Sequence, residues 1–372
     1  MIRVPNVDFL SLNFASLVAA ASTDIGYTYT GPLYSVDKVV TATAGLGQIL
    51  PLAAPAANSS WTLDFHGPSL TCVDLKGETA DQIIKNVKDS LPVKQPGYPY
   101  PLPYGYIGWT PDIDNFGDNL PFDGKSTLRS ESLGYGSFGS GSNYVANTAT
   151  IYLAAFMGTS PTGNFNLDPS TSLSNYTIVQ CGLFNTSYHA SFSFIDGAQT
   201  INITRGDNYN GVQYVGGLSS NTGNSPLADL DPLGNAIPGS FNTTELEIFS
   251  YQSVMHSLGK IVVGAIRGTF NLSGIIEPFN TTVMSTILSD TAELHSITAM
   301  TDTGVPGNLA QLLSQSANSS GWKGSSILDT PSNRLPLRQA MEDLFQNITI
   351  SLMSSTLLQY EPFHVLLHPY TY

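Results

Sequence analysis

The stretch 186–204 constrains the fold more tightly than any other part of the chain. Tyr188, Ala190, Phe192 and Phe194 alternate with Ser187, His189, Ser191 and Ser193. A period of two puts the rings on one face and the small polar groups on the other, which is the pattern of a β-strand. Asp196-Gly197 follows, a pair suited to the positive φ angles of a two-residue type I′ turn. Ile201 and Ile203 then return on the apolar face, with Asn202 on the polar one. An antiparallel hairpin with one dry and one wet face is therefore predicted.

Neighbouring segments extend this β-rich region. Trp61, Leu63 and Phe65 alternate with Thr62 and Asp64 within 58–74, and Thr150 to Phe156 and Tyr176 to Phe184 read as further strands. Tyr27-Thr28-Tyr29-Thr30 is extended and ends at Gly31-Pro32. Val36, Val39, Val40 and Ala44 share one face of a short helix, and Ile83, Ile84 and Val87 share one face of another over 78–90. Residues 206–240 are rich in Gly, Asn, Ser and Pro without periodicity and read as a loop or linker. Beyond it the pattern turns helical. Thr244 and Glu247 are spaced as a capping box, followed by Ile248, Tyr251, Met255, Leu258 and Val262 at helical intervals. Leu337, Met341, Leu344, Phe345, Ile348 and Leu352 form a second stripe, opposite Glu342, Asp343, Gln346 and Asn347. The expected class is α+β, an antiparallel β-rich N-terminal half with a helical C-terminal half. The expected divisions are 1–25, 26–205, 206–240, 241–361 and a tail, 362–372.

Composition bears on compartment. Apolar residues make up 41 % of the 372, enough for a core, while charged residues make up only 11 %, against about 25 % in an average soluble protein. With 28 acids against 14 bases the net charge is −14, which opposes a nucleic-acid partner. Nine Asn-x-Ser/Thr sequons occur, at Asn58, Asn175, Asn185, Asn202, Asn242, Asn271, Asn280, Asn318 and Asn347. Asn185 is expected in a turn, Asn202 on the polar face of a strand and Asn347 on the polar face of a helix. The two cysteines, Cys72 and Cys181, each sit in a strand-like apolar run. They are either one bridge or two unrelated buried thiols, and the sequons favour the bridge, because both belong to an oxidising compartment. Phe9 to Ser22 is moderately apolar and ends in Ala19-Ala20-Ala21, so 1–25 reads as a weak signal segment or a truncated membrane-flanking region. No apolar run reaches the roughly 18 residues of a membrane helix.

Several blocks together resemble a known family. They are Tyr29-Thr30-Gly31-Pro32 before a Val-rich helix, Asn58 to Phe65 leading to Gly67-Pro68-Ser69-Leu70-Thr71-Cys72, Cys181 to Tyr188 before a Phe-rich strand, and Met341 to Leu352. The set, spanning about residue 20 to about 358, is similar to the large extracellular domain of a family of uncharacterised filamentous-fungal membrane proteins. The resemblance implies a cell-surface location and no defined activity. Family members carry membrane helices before this domain and one after it. This sequence shows neither, so it reads as a soluble relative or a truncated ectodomain, touching a membrane only through helices absent from this chain.

Candidate chemistry is sparse. Gly-x-Ser-x-Gly does not occur. Gly134-Tyr135-Gly136-Ser137-Phe138-Gly139 has the letters of a dinucleotide fingerprint without a strand before it or a helix after it. Asp112-x-Asp114-Asn115-x-Gly117-Asp118 resembles a calcium loop, but Phe116 stands where an oxygen ligand is needed. His364 and His368 have helical spacing for zinc, but Pro362 and Pro369 leave little helix, so neither metal nor cofactor is expected. Arg205-Gly206-Asp207 reads as a turn. Tyr98, Tyr100, Tyr104, Tyr106 and Trp109 lie in a Pro-punctuated run. Exposed, they would form an aromatic strip for a sugar or a partner; buried, they would cover the β half. The sequence thus predicts a non-enzymatic glycosylated ectodomain, extracellular or lumenal, that binds a surface protein or wall polysaccharide. The alternatives are a secreted carbohydrate-active hydrolase using two of Asp64, Asp112, Asp114, Glu131 and Glu277, and a remnant of a truncated membrane protein.

Overall fold

The computed structural model describes residues 5–19, 27–90, 104–110, 149–156, 176–206, 210–212, 217–218, 243–268, 276–279, 281–295 and 334–359. In chain order these form β1 (Ala15–Ala19), β2 (Tyr27–Pro32), α1 (Tyr34–Leu46), β3 (Ser59–Asp74), α2 (Glu78–Ser90), β4 (Tyr104–Trp109) and β5 (Thr150–Phe156). Then come β6 (Tyr176–Ile195), β7 (Ala198–Arg205), β8 (Asn210–Gly211), β9 (Gly217–Leu218), α3 (Thr243–Val262), β10 (Gly264–Gly268), β11 (Ile276–Phe279) and α4 (Leu337–Ser351). The main sheet runs β11-β10-β4-β5-β6-β3, with β7 and β8 also paired to β6; a smaller sheet runs β1-β2-β9. Every pairing is antiparallel.

The long strand β6 organises the molecule. Its first part is flanked by β5 and β3, and its second part by β7 and β3. The first part is covered on both faces. Ile151, Leu153 and Ala155 of β5 pack with α1, α3 and α4, whereas Tyr152, Ala154 and Phe156 pack against Ile83, Ile84 and Val87 of α2. That is why β5 is apolar at nearly every position instead of alternating. The second part has one dry face, where Trp61 stacks on Phe192 and Phe194 at 4.9 and 5.4 Å over Leu52, Ile350 and Met353. The turn is as predicted: Asp196 and Gly197 both have positive φ, 51° and 82°.

Three expectations change. The C-terminal half is not wholly helical, since β10 and β11 fall within 241–361 and complete the main sheet next to β4. The helical stripe ends as predicted, with α3 stopping at Val262 and β10 beginning at Gly264. Inside 206–240, Asn210–Gly211 pairs with β6 and Gly217–Leu218 pairs with β2. The N-terminal segment is also structural as far as it is described. Phe14 is fully buried, Phe9 packs on it at 5.3 Å, and β1 pairs along β2, so cleavage after Ala21 would strip these groups from the core. Val36, Leu70, Ile151, Phe249, Met255 and Ile348 share one cluster, so the β-rich and helical parts have a common core.

Candidate functional site

The outer face of β3, β6 and β7 is the open side of the sheet. Register places Ser60, Ser193 and Thr200 in one row, Thr62, Ser191 and Asn202 in the next, and Asp64, His189 and Thr204 in a third. The β3 and β7 members are exposed. The surface is a short lattice of hydroxyls and amides, spaced by the ~4.8 Å between strands and the ~6.8 Å between alternate residues. Two of its members are bonded to each other: His189 Nδ1 lies 2.6 Å from Asp64 Oδ1. At the hairpin tip the same face ends in exposed Ile195.

Two sequons open onto this end of the sheet. Asn202 is exposed in the middle of β7. Asn58 is exposed beside the turn, where its Oδ1 accepts a hydrogen bond from the Asp196 N–H at 3.0 Å. The other two described sequons differ. Asn185 lies within β6, not in a turn, and is half-buried; its Nδ2 donates to Glu247 Oε1 at 2.8 Å, and Tyr251 Oη donates to the same oxygen at 2.9 Å. Glu247 is thereby drawn to β6. Asn347 is half-buried, and its Nδ2 donates to the Gly47 carbonyl at 3.2 Å. A glycan is attached through Nδ2, so only Asn58 and Asn202 of these four have that atom free. Asn175, Asn242, Asn271, Asn280 and Asn318 lie outside the described residues.

Cys72 and Cys181 form a disulfide, S–S 2.04 Å, between directly opposed residues of β3 and β6. Their Cα atoms are 4.0 Å apart, the close spacing of a pair that exchanges no backbone hydrogen bonds. The Cys72 N–H consequently points off the sheet edge, where it donates to Glu342 Oε1 of α4 at 2.6 Å. Both sulfurs' residues are buried.

The aromatic strip resolves differently. Tyr106 and Trp109 are fully buried in β4, on opposite faces of the sheet, so neither offers a ring to a ligand. Tyr106 donates to the Val262 carbonyl at 2.6 Å, and burial raises its pKa. Gly108 exists for the same close approach: a Cβ there would stand 2.1 Å from the Val262 oxygen. Tyr104 belongs to β4, while Tyr98 and Tyr100 lie outside the described residues.

Among the described residues, ionisable groups concentrate along α3 rather than around a carboxylate pair. His256 Nδ1 lies 3.1 Å from Tyr29 Oη. Ser257 donates to Asp37, and Lys260 Nζ sits 2.9 Å from the other Asp37 oxygen. Burial first, and the Lys260 charge second, push the His256 pKa down to about 4, with Asp37 opposing. His256 and Ser257 are only 2 % exposed, whereas Lys260 and Asp37 reach the surface, and this seam joins α3 to β2 and α1. Glu293 Oε2 accepts from the first N–H of α4, at Leu337, 2.8 Å away; burial outweighs that bond and raises its pKa. No spacing rule marks these polar positions, because their partners are up to 227 residues away. Of the hydrolase candidates, Asp64 is taken up by His189 on an open face, Glu277 belongs to β11, and Asp112, Asp114 and Glu131 lie outside the described residues. So do the calcium-like loop, the glycine run and His364 with His368.

No family model, curated protein or solved structure matches the chain. No helix among the described residues is long and apolar enough to cross a membrane.

Proposed function

We propose that this chain is a glycosylated, non-enzymatic domain that works outside the cytosol and meets a surface protein or a neutral wall polysaccharide. The observation that carries this reading is the solvent face of β3, β6 and β7, nearly free of charge, with Asn58 and Asn202 exposed beside and within it. The buried Cys72–Cys181 bridge supports it, since disulfides persist in oxidising compartments. The resemblance of several sequence blocks to fungal ectodomains points the same way.

Secretion from a eukaryotic host tests the compartment. The reading expects glycan mass that a deglycosylating enzyme removes, together with two cysteines that resist thiol labelling until reduction. Native protein bearing no glycan and two free thiols would sink it. Binding is tested by retention on insoluble chitin and β-glucan particles, and by crosslinking at intact cell walls. Absence of retention and of crosslinks would remove the binding role.

A further inference from the structure

We propose that an N-glycan on Asn202 shields the open edge of β7 and keeps two copies of this chain from joining edge to edge. The inference rests on the extracytoplasmic reading above. Its physical basis is the contrast between the two sides of the β3–β6–β7 sheet.

The β3 side is protected by its own chemistry. In this register even-numbered residues of β3 direct their N–H groups off the sheet, as Cys72 does. Pro68 occupies one such position and has no N–H to offer. Glu342 covers the N–H of Cys72. An approaching strand would find a missing donor at one position and a carboxylate at another.

The β7 side has none of these. The alternation starting at the Asp196-Gly197 turn directs the N–H and C=O groups of Gln199, Ile201 and Ile203 away from β6. Among the described residues, no backbone group bonds to the backbone of that edge, although the Gln199 side chain accepts from the Leu52 N–H and donates to the Leu50 carbonyl at the start of the strand. Its sequence, Ala198-Gln199-Thr200-Ile201-Asn202-Ile203-Thr204-Arg205, contains no Pro, carries its one charge at the last residue, where Arg205 donates to the Leu70 carbonyl, and is β-branched at four of eight positions. The register to β6 is regular throughout, without the bulge that would twist an edge away. A straight edge of this kind, uncharged up to its last residue, is a template for another strand. Among the described residues, the feature left to manage it is the sequon, whose Asn202 is exposed near the middle of β7.

The modification balances simply. Asn202 Nδ2 attacks the anomeric carbon of a lipid-pyrophosphate-linked oligosaccharide. The N–C bond forms as the C–O bond to pyrophosphate breaks. The lipid pyrophosphate leaves with the electron pair, and the amide proton goes to a base. A second copy pairing with β7 would lie about 4.8 Å from it, within the volume of the first sugars.

The test compares five proteins from one secretory host by glycopeptide mapping and light scattering after size exclusion: unchanged, Asn202→Gln, Thr204→Ala, Thr204→Lys and Asn58→Gln. Asn202→Gln and Thr204→Ala abolish the sequon, and Thr204→Lys abolishes it while placing a charge on the edge. Asn58→Gln serves as the control that loses a glycan elsewhere. The expected result is an occupied Asn202 and a monomeric unchanged protein, dimers or larger species for Asn202→Gln and Thr204→Ala, and monomers for Thr204→Lys and Asn58→Gln. An unoccupied Asn202 in the folded protein overturns the proposal, as do monomers from all variants. Failure of the extracytoplasmic reading is separate: it would appear as an unglycosylated protein in the native source, whatever the variants do in the host.

Discussion

Acidification should destabilise this protein through one residue, His256. Its ring is buried against Tyr29, with Lys260 and Asp37 as the charged neighbours, and its pKa in the folded state is pushed down to about 4 from 6.5. The unfolded chain therefore takes up a proton near pH 6.5 that the folded chain refuses until about pH 4. Stability contributed by the neutral ring is complete above about pH 6.5, declines as pH falls, and is fully lost below about pH 4. The gap of about 2.5 pH units corresponds to about 3 kcal/mol at 1.36 kcal/mol per unit. The assay is urea unfolding at pH 7, 5.5 and 4, followed by fluorescence of the core residues Trp61 and Trp109, with the disulfide intact. His256→Gln is the reference, because glutamine can hydrogen-bond Tyr29 but does not titrate. Glu293 acts in the opposite sense: its raised pKa favours the folded state as pH falls. That contribution is common to both proteins and cancels in their difference. The expected outcome is a variant less stable at pH 7 whose deficit shrinks by about 3 kcal/mol on reaching pH 4. Parallel loss of stability in the two proteins would refute the reasoning.

Three further outcomes follow from the packing. Replacing both Cys72 and Cys181 by Ala should cost up to ~4–5 kcal/mol in urea unfolding, because the bridge closes a loop with a sequence separation of 109 residues in the unfolded chain. Gly108→Ala should cost about 3 kcal/mol or prevent folding, since its Cβ would meet the Val262 carbonyl at 2.1 Å and a backbone oxygen at a helix end has little room to retreat. Glu342→Leu should cost about 1–3 kcal/mol by leaving the Cys72 N–H without an acceptor, while Glu342→Gln recovers part of that loss; hydrogen exchange at Cys72 reports the site directly.

Local pattern made the hairpin legible. Alternation along 188–194, the Asp-Gly turn and the return of Ile201 and Ile203 contain all the information that β6 and β7 need, because period and turn chemistry act over a few residues. The helices α1, α2, α3 and α4 were legible for the same reason, as stripes at helical spacing. Elements whose character depends on their neighbours were not. Tyr104 to Trp109 looks like a Pro-stiffened aromatic strip, yet Tyr106 and Trp109 are buried because β4 lies between β5 and β10. Strands β10 and β11 are short and carry no strong alternation, so nothing local distinguishes them from the helical region around them. Asn185 has the same sequon pattern as Asn202; only the arrival of Glu247 and Tyr251 from α3 occupies its amide.

By itself the sequence determined which segments are strands or helices where periodicity is strong, that the chain is polar with few and mostly acidic charges, and that its two cysteines could meet. Those are properties of neighbouring residues or of totals. Tertiary structure alone decided which sequons keep a free amide, that the bridge opposes β3 to β6, that the aromatic run is core, and that His256 is held neutral. Each depends on contacts between residues far apart in the chain, where burial and the partner across the interface, rather than the residue's own type, decide what a side chain can do.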